Sequence, residues 1–117
     1  MRLTPVTYDQ AMPIAGYGPG FFRIGSHVLQ GPSLISPWDA GPWGGYADTD
    51  GPLTFAGRID VLFVGTGAEI AHAPAAFRAA IEAAGMGVEV MNSPAACRTY
   101  NVLLGEGRRV AVALLPV

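Results

Sequence analysis

The sequence predicts a single-domain α/β fold over residues 1–117, a mixed β-sheet in which a β meander precedes β-α-β-α-β crossovers, with helices flanking the sheet. Three observations predict it. Short apolar segments alternate with glycine turns in the first half. Apolar strands alternate with helical segments in the second half, the pattern of right-handed parallel crossovers. Half of the residues are apolar and 14% are charged, which excludes a disordered chain and suits a well-covered sheet.

Taken in order, residues 1–20, ending in "AGYGPG", are rich in turn residues and read as an irregular lead-in with one short edge strand. "FFRIGSHVLQGPSLIS" reads as strands at 21–24, 27–30 and 33–36, separated by Gly25-Ser26 and Gly31-Pro32, a small meander. "PWDAGPWGGYADTDGP", residues 37–52, holds four glycines, three prolines, two tryptophans and a tyrosine, and is expected to be a long loop. Loops of that length in a compact domain are usually functional or disordered, and three large aromatics argue against disorder. A helical turn is expected at 53–57.

"DVLFV" is apolar at consecutive positions, as a central strand covered on both faces requires. "PAAFRAAIEAAG", 74–85, opens on Pro74, stops at Gly85 and carries Phe77, Ala80, Ile81 and Ala84 on one stripe. "GVEVM" is the next strand. "NSPAACRTYNVLLGEG" is a second helix, with Ser93 expected at the N-cap, Pro94 at the first helical position and Gly105 at the exit. "RRVAVALL" is the last strand.

The net charge of −2, without a basic cluster, argues against nucleic acid and anionic lipid as partners. Cys97 is the single cysteine, so neither a disulfide framework nor a cysteine metal site forms within one chain. No signal-peptide pattern and no run of about 20 apolar residues is present, and a cytoplasmic location is expected.

The glycines of "VLFVGTGAEI", 61–70, raise the question of a nucleotide loop. A dinucleotide fingerprint needs a third glycine where Ile70 stands, and its helix opens inside the motif, whereas the helix expected here begins at Pro74. The glycines therefore read as a structural turn, and no cofactor is expected. Position is what this turn shares with ligand sites: the carboxyl ends of neighbouring parallel strands form a crevice, here between Gly65-Thr66-Gly67 and Met91-Asn92-Ser93. Ser93 either caps its own helix or helps hold an anion at the helix start. His27 and His72 stand apart in the sequence with no acid, cysteine or serine at a telling spacing, and no metal-ligand spacing occurs. Cys97, in mid-helix, reads as a small buried hydrophobe, and Arg78 with Glu82 as a solvated helix pair.

Taken together, Gly65 and Gly67 after an apolar strand, Glu89 and Met91 in "GVEVM", the run Ala96, Arg98, Thr99, Tyr100 and Asn101, and the exit "EGRRVAVALL" carry a resemblance. The chain resembles the small α/β family of unknown biochemistry that includes mitochondrial complex I (NADH:ubiquinone oxidoreductase) assembly factor 3 and its bacterial and archaeal relatives. The resemblance extends back through Trp43 and the Gly25-Ser26 hairpin and covers nearly the whole chain. It departs at Ser93, where the family usually has threonine, and in the Gly/Pro-rich loop at 37–52.

The resemblance implies a mixed sheet with flanking helices, no established catalytic activity, and a protein partner from respiratory-complex assembly, met at the periphery of the inner membrane. The expected function is a non-catalytic interaction domain. The alternative is a small-molecule or anion binder, or a cryptic enzyme, using the crevice at the carboxyl ends of strands 61–64 and 87–91. Its candidate residues are Gly65, Thr66, Gly67, Asn92, Ser93, Arg98 and Tyr100. Trp38 and Tyr46 are the candidate partner surface, because exposed Trp and Tyr are costly and enriched at interface hot spots, while Trp43 is assigned as a lid over the core. Self-association is left open.

Overall fold

The structure is a computed structural model that describes the backbone of residues 6–7 and all of residues 10–117. Nine strands are assigned among the described residues: β1 (Val6–Thr7), β2 (Ile14–Gly18), β3 (Phe21–Ile24), β4 (His27–Gln30), β5 (Ser33–Ile35), β6 (Asp39–Pro42), β7 (Val61–Thr66), β8 (Gly87–Met91) and β9 (Val110–Leu115). Three α-helices accompany them: α1 (Asp50–Leu53), α2 (Ala75–Ala83) and α3 (Ser93–Gly105). A six-stranded sheet has the order β1-β6-β5-β9-β7-β8, and β2-β3-β4 form a second, three-stranded sheet.

The large sheet is mixed for a topological reason. β7 pairs in parallel with β8 on one side and β9 on the other, while β5 joins β9 antiparallel. The chain therefore steps from β7 to β8 in one direction and returns past β7 to β9 in the other. A constant right-handed crossover then requires α2 and α3 to lie on opposite faces. They do: Phe77 and Ile81 of α2 share a core with Leu62, Val64, Ala111 and Ala113, whereas Ala96, Cys97 and Tyr100 of α3 share one with Phe63, Val110, Val112 and Leu114. The odd and even residues of β7 and β9 thus feed two cores, which is why Val61–Val64 and all of β9 are apolar at consecutive positions.

The first half departs from a simple meander. β3 and β4 form the expected hairpin around Gly25, whose φ of 56° suits glycine, but the segment at 33–36 leaves them. As β5 it enters the large sheet between β6 and β9. The small sheet instead gains β2 from the lead-in, through pairs such as Ile14 with Ile24. Ile14, Phe22 and Ile24 then pack over the same core as α3. The lead-in expected over 1–20 contains two strands, the short edge strand at 6–7 and a second at 14–18, while positions 1–5 and 8–9 lie outside the described residues.

The long loop expected at 37–52 is also more regular than its composition suggests. Asp39–Pro42 is a strand, Gly45–Ala47 a 3₁₀ turn, and α1 begins at Asp50, so the helical turn expected at 53–57 starts earlier. Pro42 is tolerated because it stands opposite Ser33 at a non-hydrogen-bonded position, and the ladder to β5 continues past it through Trp43 N–H, which donates to the Pro32 carbonyl at 2.9 Å. Asp48 organises the rest: its carboxylate accepts the N–H groups of Gly44 and Gly51 at 3.1 and 3.0 Å, and its carbonyl accepts Trp43 Nε1–H at 3.0 Å. Trp43 is buried against Phe77, as a lid over the α2 core.

Candidate functional site

The strand order reverses at β7, so the loops leaving β7 and β8 depart toward opposite faces, and the carboxyl ends of these strands are where an open α/β sheet forms a ligand crevice. In this chain that crevice is closed by its own main chain. Ser93 N–H donates to the Gly67 carbonyl at 2.8 Å, and Gly67 N–H donates back to Ser93 Oγ at 2.8 Å. Ser93 Oγ–H then donates to the Leu115 carbonyl at 2.6 Å. A single hydroxyl ties together the ends of β7, α3 and β9, and Ser93 is fully buried.

This arrangement explains both glycines. A Cβ on Gly65 would stand 2.7 Å from Ser93 Oγ and 2.9 Å from Ser93 Cα, so only glycine lets the start of α3 approach this closely. Gly67 has a φ of +99° and its Cβ position faces the Pro116 carbonyl at 3.2 Å. Thr66 closes the turn beyond it: Thr66 Oγ1 accepts Ala71 N–H at 3.1 Å and lies 2.6 Å from the Glu69 carbonyl, to which it donates.

Asn92, not Ser93, is the N-cap of α3, and its Oδ1 accepts Ala95 N–H at 2.8 Å. Ser93 is the first helical residue and Pro94 follows it in the first turn. The correction has a physical basis: both residues are good caps, and the one whose backbone is still extended, Asn92 with ψ of 159°, takes the role.

The other two crevice candidates lie elsewhere. Tyr100 is fully buried in the α3 core and Arg98 is exposed. Two residues apart on a helix means about 200° of rotation, so they could not share a face. That spacing was legible in the sequence, as was the fit of Tyr100 with Ala96 and Cys97 on one stripe. Asn101 is held toward the small sheet: its Oδ1 accepts Ile14 N–H at 2.8 Å and its Nδ2 donates to the Ile14 carbonyl at 3.0 Å, so its amide stands in for a neighbouring strand.

Cys97 is buried, and burial pushes its thiol up to about 12 against the opposite pull of the Arg98 guanidinium. It is a core residue with an inert thiol. Arg78 does not simply pair with Glu82 in solvent: its Nη1 donates to the Val88 carbonyl at 3.2 Å. Among the described residues no cluster of His, Cys, Asp and Glu has the arrangement of a metal site.

What remains open at this end of the sheet is a cleft of about 340 Å³ lined by Ile70, Ala71, His72, Ala73, Arg78 and Val90. It exists because the chain runs without regular structure from Gly67 to Pro74 before α2 begins. Ile70 at its rim is 68% exposed.

A family model for proteins of unknown function, DUF498/DUF598, matches residues 14–115. The chain belongs to the DUF498/DUF598 family. An uncharacterised protein of Rhodobacter capsulatus is 50% identical to it over 107 residues, which are 92% of this chain and 86% of the relative. Solved structures share the DUF498/DUF598 chain's fold. A crystal structure described as an outer membrane protein from Bartonella henselae is 31% identical with a TM-score of 0.82, covering 92% of this chain and 97% of that one. The solution structure of a Bordetella pertussis protein, a Mth938-like domain, is 27% identical with a TM-score of 0.75, covering 99% and 92%. The Rhodopseudomonas palustris relative is 34% identical with a TM-score of 0.72, covering 95% and 90%. No helix among the described residues is long and apolar enough to cross a membrane.

The two aromatic candidates of this DUF498/DUF598 chain are half-buried. Trp38 lies 6.0 Å from Phe55, ring centre to ring centre, with the Arg58 guanidinium 3.9 Å above its own ring. Tyr46 packs edge-on against Trp43 and Phe77 at 5.6 and 5.2 Å, and burial raises its hydroxyl pKa above the usual value. The cleft residues Ile70, Ala73 and Val90 were not singled out from the sequence. Ile70 was the readable one, an isolated large apolar residue in a segment with no periodicity to bury it.

Proposed function

We propose that this chain is a non-catalytic binding domain that docks onto a protein partner, in the manner its resemblance to a complex I assembly factor implies. In that role it works from the cytoplasm at the periphery of the inner membrane. The observation that carries the reading is the closure of the crevice: Ser93, Thr66 and Asn92, the side chains best suited to chemistry there, are each engaged by main-chain groups. Beside them an apolar residue, Ile70, stands in solvent. Trp38 and Tyr46 offer aromatic edges on the α2 face as a second part of the contact.

The reading is tested by cross-linking the tagged chain in its native cell and identifying the linked peptides by mass spectrometry. Links to one respiratory-complex assembly component, lost in Ile70→Asp or in Trp38→Ala at unchanged folded content, support it. Recovery of the chain with no linked protein overturns it. A copurifying small anion in the cleft, displaced by Arg78→Gln, would transfer the function to the ligand-binding alternative.

A further inference from the structure

β8 is the last strand of the large sheet, so one side of it faces no other strand among the described residues. The direction of its main-chain groups follows from its pairing. Gly87 N–H donates to the Asp60 carbonyl at 2.8 Å, so Gly87, Glu89 and Met91 direct their N–H and C=O groups toward β7. Val88 and Val90, the alternate residues, direct theirs outward. Arg78 reaches the outward Val88 carbonyl, and the cleft lies against Val90. A short open strand edge, an apolar recess beside it and a cation at its rim thus occur together.

We infer that this edge takes an extended segment of a protein partner by strand addition, and that the segment carries a carboxylate beside an apolar side chain. The inference rests on the reading of the chain as a protein-binding domain. Strand addition draws affinity from main-chain hydrogen bonds and specificity from pockets that take alternate side chains. Here the groups of Val90 provide the former, and the recess between Ile70, Ala73 and Val90 takes one apolar side chain.

Charge selects the neighbour. Arg78 and His72 are the basic side chains lining the cleft, and no acidic residue lines it. The Arg78 guanidinium has five N–H donors, of which the Val88 carbonyl uses one side, so it can also hold a carboxylate. A second copy of this chain is disfavoured as the occupant. Antiparallel pairing of two β8 strands centred on Glu89 would set like charges opposite each other.

Three short peptides test the inference, each titrated into the isotope-labelled chain and followed by amide chemical shifts. The first is acetyl-Val-Thr-Val-Glu-Val-Thr-Val-amide, the second replaces its glutamate by glutamine, and the third is acetyl-Val-Thr-Val-Thr-Val with a free carboxyl terminus. We expect saturable shifts confined to Val88–Met91 and Ile70–Ala73 with the first or third, at least about fivefold weaker binding of the second, and loss of binding when the peptide nitrogens that face β8 are methylated. The tighter of the first and third tells whether the carboxylate is a side chain or a chain terminus.

Arg78→Gln should weaken the carboxylate peptides to the level of the glutamine peptide, with the melting temperature held within a few degrees. Equal binding of methylated and unmethylated peptides, or the same shifts with acetate alone, would overturn strand addition. So would stronger peptide binding or self-association of Arg78→Gln, which would make Arg78 a guard of the edge. Should all peptides fail while cross-links to a partner persist on the Trp38 and Tyr46 face, the inference falls and the protein-binding reading stands.

Discussion

The Ser93 hydroxyl accepts the Gly67 N–H at 2.8 Å while donating to the Leu115 carbonyl at 2.6 Å, and so joins three strand and helix ends that are distant in the sequence. Replacing Ser93 by Ala strands a buried donor and an acceptor, each costing about 1–3 kcal/mol. At about 4–8 °C per kcal/mol for a domain near this size, the melting temperature should fall by ~10 °C or more. Ser93→Thr, which keeps the hydroxyl, should stay near the parent. A thermal scan of the two variants distinguishes a structural hydroxyl from a dispensable one.

Gly65→Ala should damage the same junction by overpacking it. Its Cβ would meet Leu114 Cδ2 at 2.7 Å and the Ser93 backbone at 2.9 Å, and backbone cannot rotate aside as a side chain can. Overpacking costs about 1–3 kcal/mol and occasionally more. Chemical denaturation should show a lowered midpoint. An unchanged midpoint would mean that α3 can withdraw from β7 without cost.

Asn101→Ala should free the small sheet locally. The Asn101 amide makes both of its bonds to Ile14, and the change removes them together. Amide hydrogen exchange at Ile14–Gly18 should accelerate by about tenfold or more, corresponding to ~1.4 kcal/mol per factor of ten, while Leu62–Val64 keep their protection. Uniform acceleration across both regions would show instead that Asn101 supports global stability alone.

Cys97 gives a pH dependence with a definite sign. Burial raises its thiol from 9.0 to about 12, so the unfolded chain loses its proton first as pH rises. This contribution is fully present below pH 9 and is lost progressively from 9 toward 12, with a limiting slope of about 1.4 kcal/mol per pH unit. Native protein at pH 8 should react with a thiol reagent only at the rate of unfolding, and denatured protein within the mixing time. Rapid labelling of the native chain would show that Cys97 is open to solvent.

The sequence by itself determined the elements whose signals are local. The strands at 21–24, 27–30 and 87–91 fall where turn residues and apolar runs place them, and α3 spans 93–105 between its caps. Consecutive apolar residues in Val61–Val64 predicted a strand covered on both faces, and β7 feeds both cores, although it lies one place from the sheet edge and not at the centre. Tertiary structure decided the rest. Whether 33–35 joins the hairpin or the large sheet depends on Ile35 meeting Val112, a pairing that leaves no local mark. Asp39–Pro42 has little strand propensity and becomes a strand because β5 offers it a ladder. The role of Ser93 was undecidable in the sequence for the same reason, since its partners Gly67 and Leu115 stand 26 and 22 residues away. A hydroxyl at a helix start serves as a cap, an anion ligand or a clasp according to which main-chain groups the fold delivers to it, and periodicity carries information about neighbours within a turn or two of chain, not about those deliveries.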